Sequence, residues 1–238
     1  MSKTAKDKSV RRKAVPKRKQ VKQQAPTIES YVRKLSKERL VEIVLRQVRS
    51  DESLERELHD EILQQFGKPS DFIEDARQLV DNAVNTELSF DHRGYAEVVD
   101  YWPVRAAFER LFKEKQYETL LELGPIVAAG SQYQIEVSSN DFEPHYSVSE
   151  CIGWVMQALL KSDWSKPDKI AYAVRLVIED DYCACEKAEE VLDRRWARRD
   201  WKQAAETLRK LMPEYPEGKY ARKRLDRWIA MAEEKGGG

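Results

Sequence analysis

Residues 147–180, SVSECIGWVMQALLKSDWSKPDKIAYAVRLVIED, decide the reading of the fold. Cys151, Ile152, Val155, Met156, Leu159 and Leu160 recur at the spacing of one helix face, and Ser147 or Ser149 supplies an N-cap. Ser162-Asp163-Trp164-Ser165 then interrupts the pattern, and Pro167 suits the first turn of a following helix that carries Ile170, Ala173, Val174, Val177 and Ile178. Two amphipathic helices joined by so short a break must each bury an apolar stripe on a neighbour, so the stretch predicts antiparallel helix pairing.

The same grammar extends toward the C-terminus. Glu179-Asp180-Asp181 marks a junction before a helix with Ala188, Val191, Leu192 and Trp196. Asp200 is placed to open another with Trp201, Ala204, Ala205, Leu208 and Leu211, closed by Pro213 and Pro216. A last helix carries Tyr220, Leu225, Trp228 and Ile229 and runs out in Gly236-Gly237-Gly238, read as a flexible terminus.

Toward the N-terminus, Ser36 caps a helix with Leu40, Val41, Val44, Leu45 and Val48, and Ser50 or Asp51 opens the next, which carries Leu54, Leu58, Ile62 and Phe66 and stops at Gly67. Ser70 or Asp71 begins a third through Ile73, Ala76, Leu79, Val80 and Val84, ending before the Asp91-His92-Arg93-Gly94 turn. Pro103 starts a helix with Val104, Phe108, Leu111 and Phe112. A further one with Leu120, Leu121 and Leu123 is expected to kink or restart at Gly124-Pro125, and 138–146 is expected to be the longest loop.

The fold class that follows is all-α: antiparallel helix pairs stacked as an irregular α-solenoid-like (TPR-like) array. A disordered basic arm occupies residues 1–26, an N-terminal helical segment 27–90, and a helical-repeat body 95–235. No strict repeat period is present, although Asp163-Trp164 and Asp200-Trp201 echo each other. A compact irregular bundle is the competing architecture.

Composition agrees with wide solvated helix faces: of 238 residues, 41% are hydrophobic and 35% charged, with nine Gly and nine Pro. No apolar run approaches the roughly eighteen residues that a membrane span needs, and no apolar core follows the basic N-terminus as in a signal peptide. Three cysteines, an odd number, with Cys183 and Cys185 too close for an ordinary bridge, suit a reducing compartment, so the expected location is cytoplasmic.

A formal net charge of zero conceals a split chain. The first twenty-five residues hold ten Lys or Arg against Asp7 alone, and the rest is acidic by the same margin. Arg11-Arg12-Lys13 and Lys17-Arg18-Lys19 make the arm a candidate polyanion-binding element whose contacts with phosphate would weaken steeply with salt. A tail that only solubilises is the plainer alternative.

From about residue 95 to 228 the order of elements resembles the helical region downstream of the zinc finger in bacterial SWIM zinc-finger family proteins. The matching text is Tyr95-Ala96-Glu97, Phe108-Glu109-Arg110-Leu111-Phe112, Leu120-Leu121-Glu122-Leu123 and Asp200-Trp201. The family's zinc site needs Cys-x-Cys followed by Cys-x-His, whereas Cys183-Ala184-Cys185 has no cysteine or histidine after it. The resemblance therefore implies a helical scaffold without the finger, and no zinc or DNA contact carries over to any residue.

Other constellations are weighed against plainer roles. Cys183 and Cys185 at i and i+2 on a helix would point to different faces, so buried thiols are expected rather than a metal site, and no cofactor is expected. Asp141, Glu143 and His145 bring two carboxylates and an imidazole into the 140–145 loop, the residue types of acid and base catalysis, with a polar surface connection as the alternative. Glu179-Asp180-Asp181 with Glu186, Glu189 and Glu190 reads as a solvated face paired with Arg194, Arg195, Arg198 and Arg199, or as a dock for a basic partner or for the chain's own basic arm. The six tryptophans should mostly wedge between helices, with Trp164 and Trp201 as candidate partner anchors.

The function expected is that of a noncatalytic helical scaffold for protein–protein interaction, with a protein partner and a basic tail tethering it to nucleic acid or an acidic partner. A nucleic-acid-binding protein is the first alternative and an enzyme using the 140–145 loop the second. No membrane partner is expected.

Overall fold

A computed structural model of the chain describes residues 27–138 and 142–237, and these are all-α. Eleven α-helices are described: α1 (Ile28–Val32), α2 (Lys37–Val48), α3 (Glu52–Phe66), α4 (Pro69–Val84), α5 (Trp102–Lys113), α6 (Tyr117–Val137), α7 (Phe142–Lys161), α8 (Lys166–Glu179), α9 (Glu186–Leu192), α10 (Arg198–Leu211) and α11 (Tyr220–Gly236). Isolated bridges join Phe90 to Ala96 and Ala96 to Ser138, with no strand among the described residues. No helix is long and apolar enough to cross a membrane among the described residues.

The chain divides after Leu58 into two units. In the first, helix starts follow capping chemistry. Thr27 Oγ1 accepts from the Ser30 N–H at 3.3 Å, Ser36 Oγ from Arg39 at 3.3 Å, and Asp51 Oδ1 from Leu54 at 3.1 Å. These caps satisfy orphan donors without any core, and α1 and α2 bury no residue.

The second unit, His59–Gly238, holds the core. α4 belongs to it, because Phe72, Ala76, Val80 and Ala83 are buried and the helix packs on α5 and α6. Further along, α5 and α6 pack on α7, α9 packs on both α7 and α8, and α8 packs on α10 and α11, which pair with each other. α8 only touches its predecessor α7, so this consecutive pair is not the tight hairpin that its short connection suggested.

Other departures from the sequence reading have local causes. α4 starts at Pro69, one turn position that needs no N–H, and the Asp71 carboxylate accepts from the Lys68 N–H at 2.9 Å. α10 starts at Arg198, so Asp200 lies inside the first turn, where its carboxylate accepts from the Ala197 N–H at 3.1 Å. α7 begins at Phe142, which shortens the loop expected over 138–146. α11 is capped by Gly237, whose φ of 83° is the left-handed conformation that glycine adopts without penalty.

At Gly124-Pro125, where a kink or a restart was expected, α6 does not restart but continues as one helix from Tyr117 to Val137. Proline has no N–H for the carbonyl of Leu121, four residues earlier, and a buried carbonyl without a donor is costly. The Tyr172 hydroxyl of α8 supplies that donor at 2.7 Å. Gly124 makes the approach feasible: a Cβ there would lie 2.7 Å from Val155 Cγ1 and 3.0 Å from the Tyr172 oxygen. Burial pushes the Tyr172 phenol above its ordinary range, which keeps the proton on this donor.

Candidate protein-interaction site

Trp164 lies in the break between α7 and α8, and the break is tied down at both ends. α7 terminates on the Ser162 N–H to Ala158 carbonyl bond at 2.8 Å, and its last carbonyls receive an unusual cap. Buried Lys169 sends its ammonium to the Leu160 carbonyl at 3.1 Å and the Ser162 carbonyl at 2.8 Å. Desolvation draws the Lys169 pKa down. On the other side, Ser165 Oγ accepts from the Asp168 N–H at 3.3 Å and starts α8.

The indole is therefore placed by its surroundings. Its Nε1 donates to both Glu118 oxygens, at 3.0 and 3.1 Å, and its ring meets Tyr172 edge-on with centroids 5.6 Å apart. Tyr172 is the residue that bonds Leu121, so a chain of contacts runs from the Pro125 defect in α6 to the half-buried indole. Beside Trp164 opens a groove of about 450 Å³ with Ala171, Tyr172 and Leu211 as apolar lining and Asp168, Arg175 and Thr207 as polar rim. Arg175 is held between Glu179 at 3.4 Å and Glu214 at 3.1 Å. The groove thus combines an apolar lining, a fixed indole and polar residues of both charge signs.

Trp201 is different. It is 4% exposed, with Lys235 Nζ 4.4 Å from its ring centroid, so it packs between helices and offers no anchoring surface. Its burial corrects the expectation that it pairs with Trp164 as an anchor. The paired Asp-Trp dipeptides hide this difference, because α11 covers one and not the other.

The junction 179–185 proves structural where sequence suggested a solvated acidic face. Asp180 accepts from the backbone N–H groups of Tyr182 at 3.2 Å and Ala184 at 3.1 Å with one oxygen, and from Cys185 at 2.8 Å with the other. The Arg224 guanidinium donates to the Asp180 carbonyl at 2.6 Å and pairs with Asp181 at 3.2 Å. The pairing expected from Arg194 to Arg199 is thus supplied for Asp181 by α11. The turn holds Cys183 at a left-handed φ of 60°, with its side chain exposed, while Cys185 is buried and its thiol pushed up by desolvation.

A second groove, of about 640 Å³, lies between α9 and α11, with Glu186, Glu189 and Asp193 on one side and Arg224, Arg227 and Trp228 on the other. His145 Nε2 is 3.0 Å from the Cys183 carbonyl and fastens the start of α7 to this turn. The Asp141 and Glu143 side chains lie outside the described residues, as do the arm residues Arg11, Arg12, Lys13, Lys17, Arg18 and Lys19. Tyr172, Lys169 and Asp180 are the positions that sequence reasoning missed. Only Pro125 signalled one of them, by demanding a donor for a carbonyl without saying which residue supplies it. No family model, no curated protein and no solved structure matches this chain.

Proposed function

We propose that the protein is a noncatalytic helical scaffold that captures a protein partner in the Trp164 groove, with its basic N-terminal arm tethering the complex to nucleic acid or to an acidic surface. The observation that carries this reading is the combination at Trp164: an indole fixed by Glu118 and Tyr172 beside an open apolar groove. A pre-positioned aromatic loses little rotamer freedom on binding, which is how a small groove reaches useful affinity. The α9–α11 groove sets Asp180, Glu186, Glu189, Glu190 and Asp193 against Arg224 and Arg227, an acidic balance that disfavours phosphate and speaks for protein rather than nucleic acid there.

The test places a photo-crosslinking amino acid at Thr207 in the native cell, with nuclease treatment before isolation. A discrete protein adduct is expected. The purified adduct partner should bind the Thr207→Arg variant, which fills the groove without disturbing the core, at least about tenfold more weakly than wild type, or about 1.4 kcal/mol. Adducts only to nucleic acid, or equal affinity for wild type and Thr207→Arg, would overturn the proposal.

A further inference from the structure

We infer that α2 is a self-association element that pairs antiparallel, about a two-fold axis near Val44, with α2 of a second copy of this chain. Lys37, Val41, Val44 and Val48 follow one another at intervals of four, three and four, the spacing of a coiled-coil seam, and Leu40 and Leu45 widen the stripe. The helix is well specified, with the Ser36 cap at its start, yet Val41 is 47% exposed, Val44 45% and Leu45 52%. Within its own unit, α1 does not pack along it.

The charges around the stripe select the occupant. Glu38, in the first turn, and Arg49, the C-cap, lie on one flank. Turning a second copy about Val44 sets residue i opposite residue 88 minus i. Leu40 then meets Val48 of the other copy, and Glu38 comes within one residue, about 1.5 Å of rise, of Arg49. Each favourable pair forms twice, as an isologous contact requires. The internal Arg39–Glu42 pair lies on the opposite face and stays out of the seam. A parallel copy would instead set Lys37 against Lys37 at the seam and carry Glu38 and Arg49 to opposite edges, out of each other's reach. The short helix limits the contact to the weak end of specific interfaces, with a Kd on the order of micromolar.

Sedimentation equilibrium of the full chain, at concentrations up to the order of a hundred micromolar, tests the contact. Wild type should approach the dimer mass. Glu38→Arg and Arg49→Glu should each weaken dimerisation at least about tenfold by opposing like charges across the seam. Mixing those two variants restores both pairs in the heterodimer and should bring the dimer back to near wild-type affinity, a result that no effect confined to one chain produces. Val44→Asp should be monomeric with an unchanged helical circular dichroism spectrum. A monomeric wild type throughout the range, or mixed variants no more associated than either alone, would overturn the inference.

Discussion

Tyr172→Phe removes one oxygen and almost no volume, and its effect is set by what that oxygen does. The hydroxyl donates to the Leu121 carbonyl, the acceptor that Pro125 cannot serve, and Leu121 is buried. Loss of the donor leaves a buried carbonyl unsatisfied, at a cost of about 1–3 kcal/mol. For a chain of this size each kcal/mol lowers Tm by about 2–4 °C, so thermal melts should drop by roughly 2–12 °C with the helical signal at 25 °C unchanged. Pro125→Ala restores an N–H within α6, so Tyr172→Phe in that background should cost about 1 kcal/mol less than in wild type. A melting temperature within about 1 °C of wild type, or fully additive effects in the cycle, would refute the claim that Tyr172 substitutes for the missing helix bond.

Two further predictions rest on neighbouring chemistry. Asp180→Ala strips the acceptor from three backbone N–H groups and should destabilise the chain by about 2–3 kcal/mol in urea titrations; thiol titration should also show Cys185 joining the exposed Cys183 in rapid reaction. Burial raises the phenol pKa of Tyr172 above the unfolded value of about 10, so its contribution is complete below that pH and is lost as pH climbs past it toward the folded value. Tyr101 and Tyr215 are raised by burial in the same way. Urea midpoints should therefore fall between about pH 9 and 11, and fall less steeply in Tyr172→Phe; an equal or steeper fall in the variant would contradict the sign.

Much of the local structure was legible because it is written in short-range chemistry. Ser36, Asp51 and Ser165 cap where their side chains reach an N–H three residues on, Pro103 and Pro167 sit in first turns, and apolar spacing marks each buried stripe. What was not legible depends on distant partners. α6 continues through Pro125 because of a hydroxyl from α8, and nothing near Gly124 announces it. Asp180 stands in an acidic triplet that resembles ordinary surface, yet its carboxylate builds the following turn. Trp164 and Trp201 share a local context, and only the position of α11 separates the groove residue from the packed one.

The α7–α8 break illustrates how the fold and the proposed site depend on each other. Lys169 ends α7, Tyr172 completes α6, and between them they hold Trp164 at the edge of α8. A partner that engages the indole would therefore meet a surface already ordered, and its binding should tighten that surface rather than build it.

Hydrogen exchange of the full chain, alone and with the crosslink-identified partner bound, measures this most directly. The account predicts that new protection concentrates in residues 164–175 and 204–211, the two walls of the Trp164 groove. Protection confined to other segments, with these two exchanging as in the free chain, would contradict it.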